Sequence, residues 1–306
     1  MASKDIIFNG VTKIFSKGDR AVTAIENLSF EIAKGEYVCI LGRSGCGKST
    51  TVNLILGLTG ATSGDVRVLD TDPFASFQHL RGRVACVFQT DRLLPWRSVI
   101  DNVRLPLEIL NLRNRGLAIS PEAWLERLEL GGTDNAFPHE LSGGMRQRVA
   151  IARALVSDPD IILADEAFGH LDEVTGAKLR RDFRDVAASG GKTIVQITHS
   201  IEEALSVASR IIVLGKPGRV IDVIENVPAY QGEAREALRR RILEGLQYGD
   251  VREPGDPAVL AEAIADVLSD PERMAEFGAA SRELHERNFT VERMVAGTLA
   301  VYGELF

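Results

Sequence analysis

One stretch, Gly42-Arg-Ser-Gly-Cys-Gly-Lys-Ser-Thr50, constrains the fold of this chain more than any other segment. It satisfies the spacing G-x-x-x-x-G-K-[ST], in which glycines let successive backbone N–H groups turn inward around a phosphate chain. Lys48 is expected to reach the β- and γ-phosphate oxygens, and the Ser49 hydroxyl to ligate Mg²⁺. The strand pattern of Glu36–Leu41 before it and the helical pattern of Ser49–Leu56 after it favour a phosphate-binding loop at a helix N-terminus over a chance glycine-rich turn.

Composition and charge limit the class of protein. The 306 residues and the 45% hydrophobic content can fill the core of one large α/β domain or of two smaller ones. The net charge of -7, from 43 acidic and 36 basic residues, gives no general electrostatic reason to expect nucleic acid as a partner. Cys39, Cys46 and Cys86 have no metal-like spacing, which indicates a reducing cytosol. No signal-type apolar run follows the N-terminus and no segment approaches the roughly 18 apolar residues of a membrane span, so we expect any membrane role to be peripheral.

Apolar runs along the chain predict an α/β fold with a mainly parallel sheet. Alternating strand-like patterns over Ile6–Phe15 and Val22–Ile32 precede the phosphate-binding loop. Short apolar runs follow it, most of them separated by helical patterns, as in a sheet with crossover helices. These runs are Val84–Phe88, Ile161–Ala164, Thr193–Ile197 and Ile211–Leu214. From Ser98 to Leu130 the pattern is wholly helical, with Pro106 and Pro121 as interruptions, which predicts an inserted helical subdomain.

The segment Ile161–Glu166 is an apolar run followed by two adjacent carboxylates, Asp165 and Glu166. Successive side chains of an extended segment point in opposite directions, so Asp165 and Glu166 can take separate tasks. We expect Asp165 to hold Mg²⁺, directly or through water, and Glu166 to polarise an attacking water as general base, an effect worth roughly 10²–10⁴-fold in rate. By itself such a pair is more often a solvated turn or a helix cap.

Three single residues are further candidates for this site. His199 follows the run Thr193–Ile197 and can meet a γ-phosphate, although a lone histidine there is otherwise an ordinary surface or cap residue. Gln89 follows Val84–Phe88 in the same manner, and its amide can sense both metal and water. Phe15 can stack on an adenine face, or it packs at the end of a strand as core or rim.

The stretch Leu141-Ser-Gly-Gly-Met-Arg-Gln-Arg148 has the chemistry of a second anion site. Ser142 is a helix-capping residue type, and the helix that it opens runs through Val149–Leu155. A capped helix N-terminus with exposed N–H groups binds anions well, although an ordinary capped helix with a glycine-rich entry satisfies the same pattern.

Together these motifs resemble the ATP-binding subunits of ABC transporters over about residues 4–247. The matching segments are Gly42–Thr50 for the Walker A loop, Gln89 for the Q-loop, Leu141–Gln147 for the signature, Ile161–Glu166 for Walker B, Gly169–Asp172 for the D-loop and His199 for the switch histidine. Ala164, Ala167 and His170 depart from the usual residues at their positions. The resemblance implies a mainly parallel core sheet, an antiparallel N-terminal β part and a helical subdomain at about residues 98–157.

The resemblance also implies how the two anion sites are used. In this family the Walker A loop of one copy and the signature of another enclose the same nucleotide, so hydrolysis requires a homodimer or a paired ATPase subunit. The implied catalytic residues are Glu166, His199 and Gln89, and the implied Mg²⁺ ligands are Ser49, Gln89 and Asp165. The residues implied to contact ATP are Phe15, Gly42, Arg43, Ser44, Gly45, Cys46, Gly47, Lys48, Ser49, Thr50, Ser142, Gly143, Gly144, Gln147 and Asp172.

The segment Phe88–Val99 resembles the ATPases of nitrate, sulfonate, taurine and bicarbonate importers, in which a similar Leu-Leu-Pro-Trp follows the Q-loop glutamine. Leu93, Leu94 and Trp96 beside Pro95 form an apolar patch suited to a helix of a membrane subunit, or else they belong to the subdomain core. This resemblance implies uptake of a small anion or sulfonate-like solute, with permease subunits and an extracytoplasmic solute-binding protein as partners. The chain is then peripheral, at the cytoplasmic face of the inner membrane.

An alternative is a soluble ABC-type ATPase that acts on nucleic acid or ribosomes. The acidic net charge, the single nucleotide-binding unit, the apolar patch after Gln89 and the lack of a long coiled-coil insertion disfavour it.

The residues after the ATPase part, 248–306, predict a helical extension beyond a domain of residues 1–247. Residues 252–306 resemble the C-terminal segment of retaining GT-B glycosyltransferases, but the two nucleotide-fold domains and the donor-sugar site of those enzymes are not present upstream. A transferase activity therefore does not follow. We expect a docking or regulatory module, or an inert fusion.

Overall fold

A computed structural model describes residues 3–17, 20–112, 119–168 and 190–248, together with 176, 179–181 and 183–185. The chain divides into two units, Met1–Asp250 and Val251–Phe306. The predicted C-terminal extension beyond Tyr248 lies outside the described residues, as do His170 and Asp172, and the domain boundary after residue 247 stays a prediction.

The described elements follow one another in this order: β1 Lys4–Lys17, β2 Arg20–Ala33, β3 Tyr37–Gly42, α1 Lys48–Ile55, β4 Ser63–Val68, α2 Phe77–Leu80, β5 Val84–Val87, α3 Val99–Ile109, α4 Pro121–Arg127, α5 Gly143–Leu155, β6 Ile161–Asp165, β7 Thr193–Thr198, α6 Ile201–Val207, β8 Arg210–Gly215, β9 Arg219–Ile224 and α7 Gly232–Tyr248. Short 3-10 helices lie at Pro138–Glu140 and Val227–Ala229. None of the helices within the described ranges is both long and apolar enough to cross a membrane.

The central sheet has six strands in the order β5-β6-β7-β3-β8-β9. All neighbours are parallel except β8 and β9, which pair antiparallel. Every residue of β3 is buried, as expected of a strand covered on both faces. This arrangement confirms the predicted mainly parallel core sheet.

A second, antiparallel sheet has the order β2-β1-β4 and confirms the predicted N-terminal β part. Phe8 and Phe30 stack in it with ring centroids 4.5 Å apart. Its apolar face shares one core cluster with Val52 and Leu54 of α1 and with Ile40 of β3. Helix α1, which follows the phosphate-binding loop, is therefore packed against both sheets, and this fixes the loop at its N-terminus.

The predicted helical subdomain, at about residues 98–157, contains α3, α4 and α5. Ser98 and Ser120 cap α3 and α4 by accepting hydrogen bonds from backbone N–H groups three residues later. Pro121 begins α4 as predicted. The prediction that Pro106 interrupts the helical pattern was wrong, since Pro106 lies inside α3. A proline removes one N–H donor, and packing of buried residues of α3 against the core outweighs that loss.

The segment between β5 and α3 is tied to the subdomain by one buried amide. Asn102 is fully buried, and its Nδ2 donates to the carbonyls of Leu94, Arg97 and Ser98 at 3.0–3.1 Å. Its Oδ1 accepts from the Leu94 N–H at 2.8 Å. Only part of the apolar patch predicted here is at the surface. Leu93 belongs to the core and Leu94 is half-buried, whereas Trp96 is 72% exposed.

Candidate functional site

Four adjacent strands of the central sheet bring the predicted site residues to one edge. The strands β5, β6, β7 and β3 are neighbours and parallel, so their carboxyl ends lie together. Gln89 follows β5, the acidic pair ends β6, and His199 follows β7. The phosphate-binding loop follows β3. This is the edge of an open α/β sheet at which ligands bind.

The phosphate-binding loop closes on Lys48. The side chain is buried, and its Nζ donates to the carbonyls of Gly42 at 2.7 Å and Arg43 at 3.0 Å. Gly47 has φ 94°, and a Cβ there would lie 2.6 Å from the carbonyl oxygen of Ala24. The loop therefore requires glycine at this position, both for its left-handed backbone and for the close approach of β2.

The two carboxylates at the end of β6 have different surroundings. One oxygen of Glu166 lies 4.0 Å from Lys48 Nζ, and the other lies 3.4 Å from His199 Nδ1. Burial and, next, the charge of Glu166 raise the pKa of Asp165, against the opposing charges of Lys48 and Arg92. The site thus holds two acids close together, with the cations Lys48 and Arg92 near them and a largely exposed histidine beside Glu166.

Glu166 has an unusual backbone conformation. Its φ is 48°, in the left-handed region that side chains other than glycine rarely adopt. Its N–H donates to the carbonyl of Ile197 at 2.9 Å, so this turn is bonded to the strand that leads to His199. Strain of this kind occurs at functional sites, where the surrounding structure holds it.

A buried carboxylate that was not predicted from the sequence fixes the segment around His199. Glu203 of α6 accepts hydrogen bonds from Thr198 Oγ1 at 2.7 Å and from Arg180 at 3.1 Å. Thr198 Oγ1 also accepts the N–H of Ser200 at 3.0 Å. The pattern Ser200-x-x-Glu203 is that of a capping box, so the sequence does signal the helix start. It does not reveal the partner Arg180.

The predicted second anion site is the N-terminus of α5. Ser142 caps this helix by accepting the Met145 N–H at 3.2 Å, and both Ser142 and Gly143 are exposed. Gln147 is buried and its Nε2 donates to the Phe88 carbonyl at 3.2 Å, so in this structure its amide contacts the chain itself.

Two cavities lie along this edge of the sheet. A cavity of about 230 Å³ brings Gln89 together with Gly143, Gln147 and Ala167. An open cleft of about 480 Å³ joins Gly42, Arg43 and Ser44 of the phosphate-binding loop to His199, Lys216 and Leu246. Sequence reasoning missed Lys216 and Leu246, because nothing in the local pattern relates the β8–β9 turn or α7 to the loop.

The remaining predicted contacts lie at the surface or near it. Ser49 and Gly45 are exposed, Thr50 and Gly144 are half-exposed, and Cys46 is buried under the loop. Phe15 is exposed near the end of β1, with Lys13 Nζ 5.0 Å from its ring centroid.

A phosphate-binding loop after a central parallel strand, with an acidic pair and a histidine at the ends of the neighbouring strands, defines a P-loop nucleoside triphosphatase. The sequence profile described as "ABC transporter" matches residues 25–169. The aliphatic sulfonates import ATP-binding protein SsuB of Bacillus cereus is 36% identical over 249 residues, which cover 80% of this chain and 96% of that one. The chain belongs to the family of ABC transporter ATP-binding proteins, and it is an ATPase.

Two further matches agree with this assignment. The taurine import ATP-binding protein TauB of Rhizobium johnstonii is 44% identical over 243 residues, covering 76% of this chain and 88% of that one. A solved structure of the ATP-binding cassette MJ0796, described as dimeric, in a post-hydrolysis state and bound to ADP and Pi, matches with a TM-score of 0.62 and 36% identity. That match covers 72% of this chain and 98% of the solved one.

Proposed function

We propose that this ATPase works as a pair of copies that energises uptake of a small anion or sulfonate-like solute through membrane subunits. The pairing is supported by two helix N-termini in one chain that suit anions, one at the phosphate-binding loop before α1 and one at the Ser142-capped start of α5. The names of the relatives as sulfonate and taurine import proteins support the direction of transport and the class of solute.

Hydrolysis in this proposal uses the residues around Glu166. Glu166 accepts the proton of a water as the water oxygen bonds to the γ-phosphorus, and the bond from that phosphorus to the bridging oxygen breaks, which releases ADP and phosphate. His199, 3.4 Å from Glu166, orients the carboxylate and contacts the γ-phosphate. Lys48 exchanges the Gly42 and Arg43 carbonyls for phosphate oxygens.

The residues at the end of β6 and the start of α1 fit a magnesium ion. Asp165, Ser49 and Gln89 present oxygen donors, which Mg²⁺ prefers, and a bound cation would offset the burial and the Glu166 charge that raise the Asp165 pKa. When bound, the ion would neutralise charge on the nucleotide phosphates.

The signature of a second copy completes each site in this proposal. The N-terminal turn of α5 and Ser142, Gly143 and Gly144 would contact the γ-phosphate held by the partner copy. Phe15 would stack on the adenine and Asp172 would line the contact between copies. Gln147 is buried and supports the chain at Phe88.

A groove next to β5, the strand that precedes Gln89, suits a helix of the membrane subunit. Its cavity of about 260 Å³ lies between β5 and α3 and includes Cys86, Leu105, Pro106 and Ile109. Ile109 is 58% exposed and adds apolar surface to this groove. An amphipathic helix with apolar residues at i, i+3 and i+4 is the partner that such a groove accepts. The chain would then lie at the cytoplasmic face of the membrane without entering it.

The pairing is tested by changing one anion site at a time. Ser142→Arg or Gly143→Asp should abolish hydrolysis and leave ATP binding by the isolated chain within about twofold, because neither residue contacts the nucleotide held by its own chain. Lys48→Ala should weaken ATP binding itself. Loss of binding in the signature variants as severe as in Lys48→Ala would refute the shared site.

The solute class is tested in vesicles in which this chain is reconstituted with a sulfonate-importer permease and its solute-binding protein. ATP turnover should rise when taurine or an alkanesulfonate is supplied, and sulfate at equal concentration is the matched anion control. Turnover that responds to none of the sulfonates, nitrate or bicarbonate would remove the importer assignment, while leaving the ATPase activity in place.

A further inference from the structure

The residues around Gln89 have no regular secondary structure, yet helix α5 holds them on both sides. We call Phe88–Arg92 the Gln89 segment. On one side of Gln89, the Phe88 carbonyl accepts from Gln147 at 3.2 Å. On the other side, the Asp91 and Arg92 carbonyls accept from the two terminal nitrogens of Arg153, at 2.6 and 2.8 Å. Gln89 itself is exposed between these fixed points.

The Asp91 side chain joins the same segment to the start of α5. Its Oδ2 accepts from Arg146 Nε at 3.0 Å, and its Oδ1 accepts the Leu93 N–H at 3.1 Å. Arg146 also donates to the Leu141 carbonyl at 2.8 Å, directly before the signature serine. The same helix therefore carries the predicted signature at its N-terminus and bonds the segment that carries Gln89.

Arg153 is well suited to this contact. A guanidinium donates two hydrogen bonds at once in a fixed geometry, which a lysine ammonium on one flexible stem does not reproduce. Burial is the largest influence on its pKa and lowers it, with Asp91 opposing. A charged donor in such surroundings forms stronger hydrogen bonds to carbonyl groups than a neutral one.

Arg153 lies on a different surface from the nucleotide cleft. It lines the groove between β5 and α3, whereas the cleft at the phosphate-binding loop is lined by other residues. It therefore influences hydrolysis through the backbone that it holds. A displacement of about 1 Å in a reacting arrangement is enough to lower a rate by about 10²-fold.

We propose that Arg153 is a positioning residue for Gln89, fixing its place relative to helix α5 through the Asp91 and Arg92 carbonyls. The inference rests on the role proposed above for Gln89. Arg153 also links two regions, because it lines the groove proposed for a membrane helix and bonds the Gln89 segment. Filling of the groove would then reach Gln89 through Arg153.

The test compares variants of the full chain by steady-state phosphate release and by ATP binding. Arg153→Met keeps the apolar stem and removes both donors, and we expect a turnover about 10- to 100-fold lower with ATP affinity within about twofold. Arg153→Lys should recover part of the rate. Arg104→Met is the control, because Arg104 is exposed, pairs with Glu122 at the surface and should leave turnover unchanged.

A double-mutant cycle separates positioning from general loss of structure. In a Gln89→Ala background, Arg153→Met should change turnover by less than about twofold, because the residue that it positions is gone. The inference would be overturned if Arg153→Met lowered turnover in the Gln89→Ala background by the full factor seen in the wild-type background. Wild-type turnover of the single variant Arg153→Met would overturn it as well. If Arg153→Met does not fold, Arg153→Lys, which keeps the stem and one donor group, takes its place in the same cycle. If Gln89→Ala hydrolyses ATP at the wild-type rate, the role of Gln89 is refuted as well. If Gln89→Ala is slow and Arg153→Met lowers its rate by the full factor seen in the wild-type background, only the positioning role of Arg153 is refuted.

Discussion

Replacing Glu166 by glutamine keeps the size of the side chain and removes its charge at the centre of the site. One oxygen of this carboxylate lies 3.4 Å from His199 Nδ1, and the other lies 4.0 Å from Lys48 Nζ. The amide cannot take up a proton from water, although it can still occupy the same space beside His199. We therefore expect Glu166→Gln to separate nucleotide binding from hydrolysis.

The expected changes in turnover and in ATP affinity can each be estimated. Loss of a general base lowers turnover by roughly 10²–10⁴-fold, which corresponds to about 3–5 kcal/mol of transition-state stabilisation. Unit charges 4 Å apart attract by about 4 kcal/mol at an effective dielectric constant of about 20, and this attraction of Glu166 for Lys48 competes with the phosphates. Removing it leaves Lys48 more available to ATP, so nucleotide affinity should stay the same or increase.

The assay combines phosphate release, ATP binding and size-exclusion chromatography with Mg²⁺ and ATP. The Glu166→Gln chain should elute as a stable dimer, because two bound nucleotides hold the copies together and hydrolysis no longer separates them. Glu202→Gln is the matched control, since Glu202 is an exposed carboxylate that pairs with Arg239 on the surface. A Glu166→Gln chain that stays monomeric with ATP and hydrolyses it normally would refute the role assigned to Glu166.

Three further outcomes are expected. Asp165→Asn should raise the free energy of unfolding at pH 7 without Mg²⁺, because the folded-state pKa of Asp165 is raised and its ionisation therefore opposes folding. In urea denaturation this gain should shrink as pH falls below the folded-state pKa and vanish below the lower, unfolded-state pKa. Asn102→Ala should lower the free energy of unfolding by about 2–4 kcal/mol, because carbonyls of the segment before α3 lose their donor, and a change below about 1 kcal/mol would contradict this. Truncation after Gln247 should preserve ATP turnover, and its loss in a chain still folded by circular dichroism would contradict the domain boundary.

The central strands and the phosphate-binding loop could be predicted from the sequence because their signals are local. The buried residues of β3 form one continuous apolar run, and the glycine spacing that follows has a single mechanical reason. By contrast, β4 was missed because it begins with Ser63-Gly64-Asp65 and only Val66 and Val68 are buried. The antiparallel edge strand β9 was missed as well, since most of its residues are only half-buried and it gives a weak apolar signal.

The positions of the functional side chains were partly predictable for the same reason. Gln147 lies three and four residues before Ala150 and Ile151, on the buried face of α5, and a buried amide requires a hydrogen-bonding partner. Helical spacing therefore indicates its burial, but not that the partner is the Phe88 carbonyl. Likewise, the bond between Arg180 and Glu203 joins residues whose distance along the chain carries no periodic signal.

The order of strands in the central sheet has a consequence for synthesis of the chain. The phosphate-binding loop follows β3, but β3 has only β7 and β8 as neighbours, so that Tyr37 pairs with Ile194 and Val38 with Arg210. A ribosome therefore completes the loop long before the strands that hold it exist, and such distant parallel pairings form slowly. Nucleotide affinity should appear late and abruptly during refolding, after most helical structure has formed. ATP would then bind only fully folded molecules, and it would shift the equilibrium of the last folding step toward the folded state by mass action.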